Sequence, residues 1–284
     1  MSDLASKSFV ITGANTGIGR ANALALALRK PKAIVLAARS LERTQPVLDE
    51  LKSLHPEGDV RFVALDLGNL ASVRKAADEL LEQDHPIDAL INNAGLAGVQ
   101  GETADGFELA FGTNHLGHYL WTEKLLPLVK RAPQGRVVVV ASRGHYRARG
   151  IDFDAVRKRS ATLSAFPEYC VSKLANVLHA RMLARRLTGT KVTTYSLHPG
   201  GVASDIWSRR LGRFAVLLRP FLISNEQGAK TQVYCATAPE LSTATGLYYD
   251  EQKPKVPSAR ALDDRLMAEL EARSNEWVAP FLES

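Results

Sequence analysis

Short runs of β-branched and aliphatic residues recur along the chain and alternate with longer stretches in which apolar residues return every three or four positions. The short runs are Ser8 to Thr12, Ala33 to Ala38, Val60 to Leu65, Ile87 to Ile91, Val137 to Ala141 and Val192 to Leu197. Several are apolar throughout, the pattern of strands covered on both faces and not of a sheet with one wet side. The stretches between them read as helices. Repetition of strand, helix and strand specifies parallel pairing through right-handed crossovers. Such a sheet presents its ligand sites at the carboxyl ends of the strands, so the residues just after each strand carry the interest.

The expected fold class is therefore α/β: a single-domain, Rossmann-type, doubly wound and mostly parallel sheet flanked by helices. At 284 residues, 45% of them hydrophobic, the chain can bury one large core. No Pro/Gly/Ser-rich linker, repeat or low-complexity tract divides it. One domain over 1–284 is expected, with a variable lid around 203–225. The N-terminal residues run almost directly into the first strand pattern, so no signal peptide is expected. The most apolar later stretch, Phe214 to Ile223, is broken by Arg219 and Pro220 and falls short of the about 18 residues that span a bilayer. No transmembrane segment is expected. Two cysteines, Cys170 and Cys235, lie in no metal-ligand spacing, so no metal is expected and a cytoplasmic location fits. A formal charge of +6 suits anionic ligands, but the bases are scattered among acids, which argues against nucleic acid as a partner. The densest basic stretch, Arg143 to Arg159, reads as a solvated loop.

Candidate chemistry begins after the first strand, where Gly13-Ala14-Asn15-Thr16-Gly17-Ile18-Gly19 leads into the helix formers Ala21 to Leu28. Glycines there permit a tight turn and a close backbone approach to a pyrophosphate, whose oxygens suit the free amides of the helix end. The same glycines could serve close packing alone. The second strand ends at Arg39, with no acid to meet a ribose 2′-hydroxyl. A guanidinium at this point suits a 2′-phosphate, so NADP(H) is expected in preference to NAD(H); the alternative is an ordinary exposed arginine. Asp66 and Leu67 follow the third strand and Asn92-Asn93-Ala94-Gly95 the fourth, where they could line the same dinucleotide or simply form turns. Ser142 follows the fifth strand, and Tyr169 and Lys173 stand four apart at the start of a helical pattern. That spacing puts phenol and ammonium on one face, where the cation would favour the ionised phenol. A tyrosine with an ordinary pKa of about 10 needs such a neighbour to act as a base near neutrality.

Gly13, Gly17 and Gly19, Asn92 to Gly95, Asn114, Ser142, Tyr169 with Lys173, and Pro199-Gly200 occur in the order of the short-chain dehydrogenase/reductase family, which the chain resembles over nearly its whole length. Asp105 to Glu108, Asn114 to His118, Tyr169 to Val177 and Thr193 to Gly200, with Tyr169 standing 27 positions after Ser142, resemble its retinol dehydrogenase branch. The resemblance implies that Tyr169 is the general acid in carbonyl reduction and the general base in alcohol oxidation. It further implies that Lys173 tunes Tyr169 and holds the nicotinamide ribose, that Ser142 binds the substrate oxygen, and that Asn114 anchors a water leading from Lys173 to solvent. Pro199 and Gly200 would shape the nicotinamide pocket. The cofactor-binding residues are then Gly13, Asn15, Thr16, Gly17, Ile18, Gly19, Arg39, Asp66, Leu67, Asn93, Ala94, Gly95, Tyr169, Lys173, Pro199 and Gly200.

The expected partner is an apolar alcohol or carbonyl compound; its identity, the physiological direction and homo-oligomer formation stay open. Retinol dehydrogenases often carry an apolar N-terminal anchor that this sequence does not show. Ile206 to Ile223 mixes Trp207, Phe214 and Phe221 with Arg209, Arg210, Arg213 and Arg219, which suits a lid over a greasy substrate or weak contact with an anionic membrane surface. His115 and His118 read as residues of helix packing or local hydrogen bonding, since no third metal ligand recurs nearby. The competing classes are a catalytically silent NADP(H)-binding sensor or scaffold and a membrane-surface interaction protein.

Overall fold

The computed structural model describes residues 4–200 and 224–282. Eight strands form one sheet: β1 (Ser8–Thr12), β2 (Ala33–Ala38), β3 (Asp59–Ala64), β4 (Ala89–Asn92), β5 (Arg136–Val140), β6 (Thr193–His198), β7 (Leu247–Asp250) and β8 (Lys253–Lys255). Their order is β3-β2-β1-β4-β5-β6-β7-β8, and every neighbouring pair is parallel except β7 with β8. The order reverses between β1 and β4, which opens a crevice above their carboxyl ends.

The all-apolar strand runs are explained by burial on two faces. Along β1, Val10 faces one core while Phe9 and Ile11 face the other; along β5, Val137 and Val139 oppose Val138 and Val140. Helices α1 (Gly17–Ala27), α2 (Leu41–Leu54) and α6 (Asn225–Thr237) cover one face through Leu26, Leu51 and Cys235. Helices α3 (Leu70–Gln83), α4 (Gly117–Arg131), α5 (Phe166–Arg186) and α7 (Asp264–Leu282) cover the other through Val73, Trp121, Leu178 and Leu270.

All six expected strands form, four of them displaced by one or two residues. The fourth starts two residues later, at Ala89, although the Asp88 backbone still bonds to Ser8 and Arg136 on either side; the Asp88 carboxylate also accepts from Ser8 N at 2.9 Å and Lys7 Nζ at 2.9 Å. The sequence pattern does not signal β7 and β8. The first is four residues long with an exposed Leu247, and the second is an exposed Lys-Pro-Lys edge whose charges and proline discourage further pairing. The expected lid at 203–225 lies outside the described residues except for its end: Ser224 and Asn225 start α6, where Ser224 and Gln227 form a reciprocal capping box. The basic stretch from Arg143 to Arg159 is more ordered than a solvated loop. It contains turns of 3₁₀-helix at Arg143–Arg147 and Ala155–Arg157, Arg143 pairs with the buried Asp250 at 2.7 Å, and Arg157 lies 4.0 Å over the ring of Phe107.

Candidate active site

The crevice begins at the glycine turn between β1 and α1. Gly13 (φ 67°) and Gly17 (φ 58°) hold left-handed conformations that a side chain would strain. Gly19 is required for a different reason: a Cβ there would stand 2.4 Å from the Gly13 carbonyl oxygen and 2.5 Å from Asn93 Nδ2. The turn is thus packed against the loop after β4. At the open end of α1 there is neither a side-chain cap on Thr16 nor an acid in the first turn, so its free amides suit an anion. Asn15 and Ile18 are half-buried beside it and Thr16 is exposed.

Arg39 stands exposed past β2 and enters no ion pair among the described residues. Asp66, past β3, commits Oδ1 to the Gly68 amide at 3.0 Å, and Leu67 is buried beneath it. Asn93 anchors the loop after β4 by giving a hydrogen bond from Nδ2 to the Thr12 carbonyl at 2.8 Å and accepting one from Gln232 Nε2 at 3.0 Å. Gly95 closes the distance to the second half of the site, since a Cβ there would lie 3.3 Å from both Asn114 Oδ1 and Lys173 Nζ. Pro199 and Gly200 follow β6, beside the end of β5, with Gly200 at φ 97°. The glycines, the open helix end and the bare backbone at Gly95 make a cradle that fits a dinucleotide.

Asn114 lies in a π-helical turn, Gly112–Leu116, that leads into α4. Its fully buried side chain accepts from Leu96 N at 2.9 Å and donates to Leu96 O at 2.9 Å and Ser172 Oγ at 3.0 Å. Lys173 Nζ donates to the Val140 carbonyl at 2.8 Å. Ser142, two residues past β5, accepts from Gly144 N at 3.0 Å and stands close enough to the Tyr169 phenol to favour its ionised form. Gly144 admits that approach: a Cβ there would lie 3.3 Å from Tyr169 Cε1 and 3.4 Å from Ser142 Oγ. Asn114, Ser142, Tyr169 and Lys173, contributed by three separate stretches of chain, therefore converge at the carboxyl edge of β4 and β5.

The electrostatics correct one expectation. Burial pushes the Tyr169 phenol up to about 12, against the opposing pull of the Ser142 hydroxyl, so the cation does not deliver an ionised phenol in this geometry. Lys173 Nζ lies 5.7 Å from the centre of the Tyr169 ring, gives a hydrogen to Val140, and is itself brought down to about 7 by burial. Near neutrality Tyr169 holds its proton, the form a proton donor needs.

Sequence reasoning missed Thr12 and His145 as supporting residues and gave His118 only helix packing or local hydrogen bonds. Thr12 takes the amides of Asn93 and Ala94, His118 bridges Thr12 and Asn114, and His145 carries the Ser142 turn. The His145 Nδ1 donates to the Ser142 carbonyl at 2.6 Å while Nε2 accepts from Ser258 N at 3.1 Å. The only available signal was the four-residue spacing from Asn114 to His118. Among the described residues there is no cluster able to hold a metal and no helix long and apolar enough to cross a membrane.

Residues 7–151 match the short chain dehydrogenase family model. The chain is 37% identical over 284 residues to human retinol dehydrogenase 13, covering 96% of this chain and 84% of that protein. It is 41% identical over 272 residues to human dehydrogenase/reductase SDR family member 13, covering 93% and 71%. Among solved structures, a short chain dehydrogenase of Salmonella enterica serovar Typhi superposes with a TM-score of 0.72 at 21% identity, covering 89% of this chain and 99% of that one. One from Escherichia coli CFT073, complexed with NADPH, gives 0.72 at 20% identity, covering 88% and 99%. The chain belongs to the short-chain dehydrogenase/reductase family, a family of oxidoreductases built on this nicotinamide-cofactor-binding fold.

The crowding around Gly19 gives a direct prediction. Gly19→Ala forces backbone against backbone, an overpacking cost of about 1–3 kcal/mol, and should weaken NADPH binding about 5- to 150-fold in a fluorescence titration. Unchanged affinity would show that the turn does not meet the dinucleotide.

Proposed function

We propose that this protein is an NADP(H)-dependent oxidoreductase interconverting an apolar alcohol and its aldehyde or ketone. The observation that carries the reading is the convergence of Asn114, Ser142, Tyr169 and Lys173 beside the Gly13–Gly19 turn. Bound NADP(H) supplies or accepts the hydride at C4 of its nicotinamide. Tyr169 gives its phenolic proton to the carbonyl oxygen in reduction. In oxidation it must first release that proton toward Lys173 and the Asn114 water, and only then takes the hydroxyl proton, so the protonated resting form favours reduction. Ser142 hydrogen-bonds the same substrate oxygen and stabilises its developing charge. Lys173 holds the nicotinamide ribose, and Asn114 anchors a water that links Lys173 to solvent. Pro199 and Gly200 wall the nicotinamide side. A silent binding module would have no need of the four converging side chains.

The coenzyme preference rests on Arg39, a guanidinium at the end of β2 that pairs with no carboxylate among the described residues, with no acid in its place in the sequence. Its planar fork suits a 2′-phosphate. Arg39→Ala should lower kcat/KM with NADPH by about 10- to 100-fold, the size of one lost charge-assisted contact, and leave that with NADH nearly unchanged. Wild-type preference for NADH, or equal losses with both coenzymes, would remove this role.

An apolar substrate is supported by a cavity of about 660 Å³ lined by Ala148, Ile151, Phe166 and Val171, with Arg147 and Arg149 at hand. Phe166, on the wall of this cavity, stacks on Tyr169 with ring centres 5.9 Å apart and stands between the cavity and the reacting residue. The relatives named for retinol make retinoid aldehydes the natural first members of a substrate panel. The test is NADPH oxidation against retinoid, steroid, quinone, aliphatic and bicyclic carbonyl compounds. Turnover confined to apolar members is expected, and tight NADPH binding without turnover of any of them would favour a silent module.

A further inference from the structure

His118 is used by none of the roles above, yet it is fully buried in the first turn of α4, between the two halves of the site. Its Nδ1 lies 3.0 Å from the Asn114 carbonyl oxygen and its Nε2 2.8 Å from Thr12 Oγ1. A carbonyl oxygen can only accept, so Nδ1 carries the hydrogen. A neutral imidazole has one N–H, so Nε2 accepts and the Thr12 hydroxyl donates to it. With its hydrogen spent there, Thr12 Oγ1 is free to accept twice, and it does so from the amides of Asn93 at 2.9 Å and Ala94 at 3.0 Å. Every member of this buried chain is satisfied, and each bond has only one direction.

The ends of the chain matter for the site. One is the main chain of Asn114; the other is the loop leading to Gly95, whose backbone faces Asn114 and Lys173. We propose that His118 is a positioning residue that locks the Asn114 turn to the Asn93–Gly95 loop, so that the proton-handling side chains and the dinucleotide-lining backbone hold one spacing. Burial opposes a second proton on the ring, and so does Lys173 on α5, against the pull of the Asn114 carbonyl; the neighbouring His115 in the π-turn and His179 on α5 are themselves held neutral by burial. A doubly protonated ring would present N–H to the Thr12 hydroxyl, which could then no longer donate to it. The inference rests on the oxidoreductase reading for its kinetic readout, and it has a second readout in the ligand-free protein.

The test is a double-mutant cycle. Thr12→Val keeps the shape and removes the hydroxyl, Thr12→Ser keeps the hydroxyl, and His118→Leu removes both ring contacts. Thr12→Val and His118→Leu should each lower kcat/KM for NADPH by about tenfold, and the double variant should be no worse than the poorer single one, because both break the same link. Thr12→Ser should stay within about threefold of wild type. In the ligand-free protein, ¹⁵N-NMR should find the His118 hydrogen on Nδ1, and amide exchange at Asn93 and Ala94 should quicken in Thr12→Val as in His118→Leu. Additive losses, a hydrogen on Nε2, or unchanged exchange at those amides would overturn the proposal. If His118→Leu fails to fold, the Thr12 pair and the wild-type tautomer still decide it. If the wild type neither binds NADPH nor turns over, the oxidoreductase reading falls while the NMR arms still judge the link.

Discussion

Tyr169→Phe is expected to keep NADPH bound and to cut turnover by about 10²- to 10⁴-fold, the contribution of a positioned proton donor. The substitution removes one oxygen and little else. The ring that stacks on Phe166 remains, as do the Lys173 contact to Val140 and the glycine turn that receives the dinucleotide. What disappears is the group that burial holds protonated, up to about 12, beside the Ser142 hydroxyl. Loss in kcat at unchanged NADPH affinity, read by NADPH oxidation and by fluorescence titration, would place the defect in the reaction step. Undiminished turnover would remove Tyr169 from the mechanism.

Acid should destabilise the fold steeply, and the cause is three buried histidines. His115, His118 and His179 lie where the π-turn, α4 and α5 meet, with His115 and His179 ring centres 5.8 Å apart. Burial brings His115 down to about 3 and His118 to about 4, and holds His179 well below its ordinary value. An unfolded chain returns each to about 6.5. The folded pKa values are depressed and these groups are bases, so the unfolded state binds more protons below pH 6.5. Their stabilising contribution is therefore complete above pH 6.5 and declines as pH falls toward the folded values. At about 1.4 kcal/mol per histidine per pH unit, His115 and His118 together cost about 5 kcal/mol between pH 6.5 and 4.5. A domain holds only about 5–15 kcal/mol in total. Denaturant unfolding across this range should show that loss. His179→Leu should flatten the slope, because it deletes one proton-binding site whose ring nitrogens have no hydrogen-bond partner among the described residues. Equal slopes in wild type and His179→Leu would show that the buried imidazole does not drive the transition.

The parts of the molecule legible in the sequence are those governed by local rules. Six strands announce themselves as apolar runs because both faces of the sheet are covered, and Gly13, Gly17 and Gly19 mark the turn because only glycine fits there. Tyr169 and Lys173 share a helix, so their spacing alone relates them. Ser142 is 27 positions before Tyr169, and only the sheet brings the two together; without the family resemblance it would have been one serine after one strand. Strand β7 escaped because its buried pair, Tyr248 and Tyr249, is too short a run to announce a strand, and β8 because an exposed Lys-Pro-Lys edge has little apolar surface to display. The balance at Tyr169 escaped for another reason. Spacing reveals that an ammonium is near, but the cost of burying the phenol depends on the surrounding walls, and here that cost wins. For His118 the sequence left packing or local hydrogen bonding open; the local bond to the Asn114 carbonyl is present, but the link to Thr12 is a tertiary contact that no sequence pattern exposes.

The most direct measurement supplies NADPH deuterated at C4 with an apolar aldehyde or ketone that the protein turns over, and follows the label by mass spectrometry in wild type and Tyr169→Phe. Wild type should place one deuterium on the carbinol carbon of the product, and Tyr169→Phe should form that product at least about a hundredfold more slowly. Product alcohol without deuterium, or labelled product formed equally fast by both proteins, would contradict hydride transfer supported by the Tyr169 site.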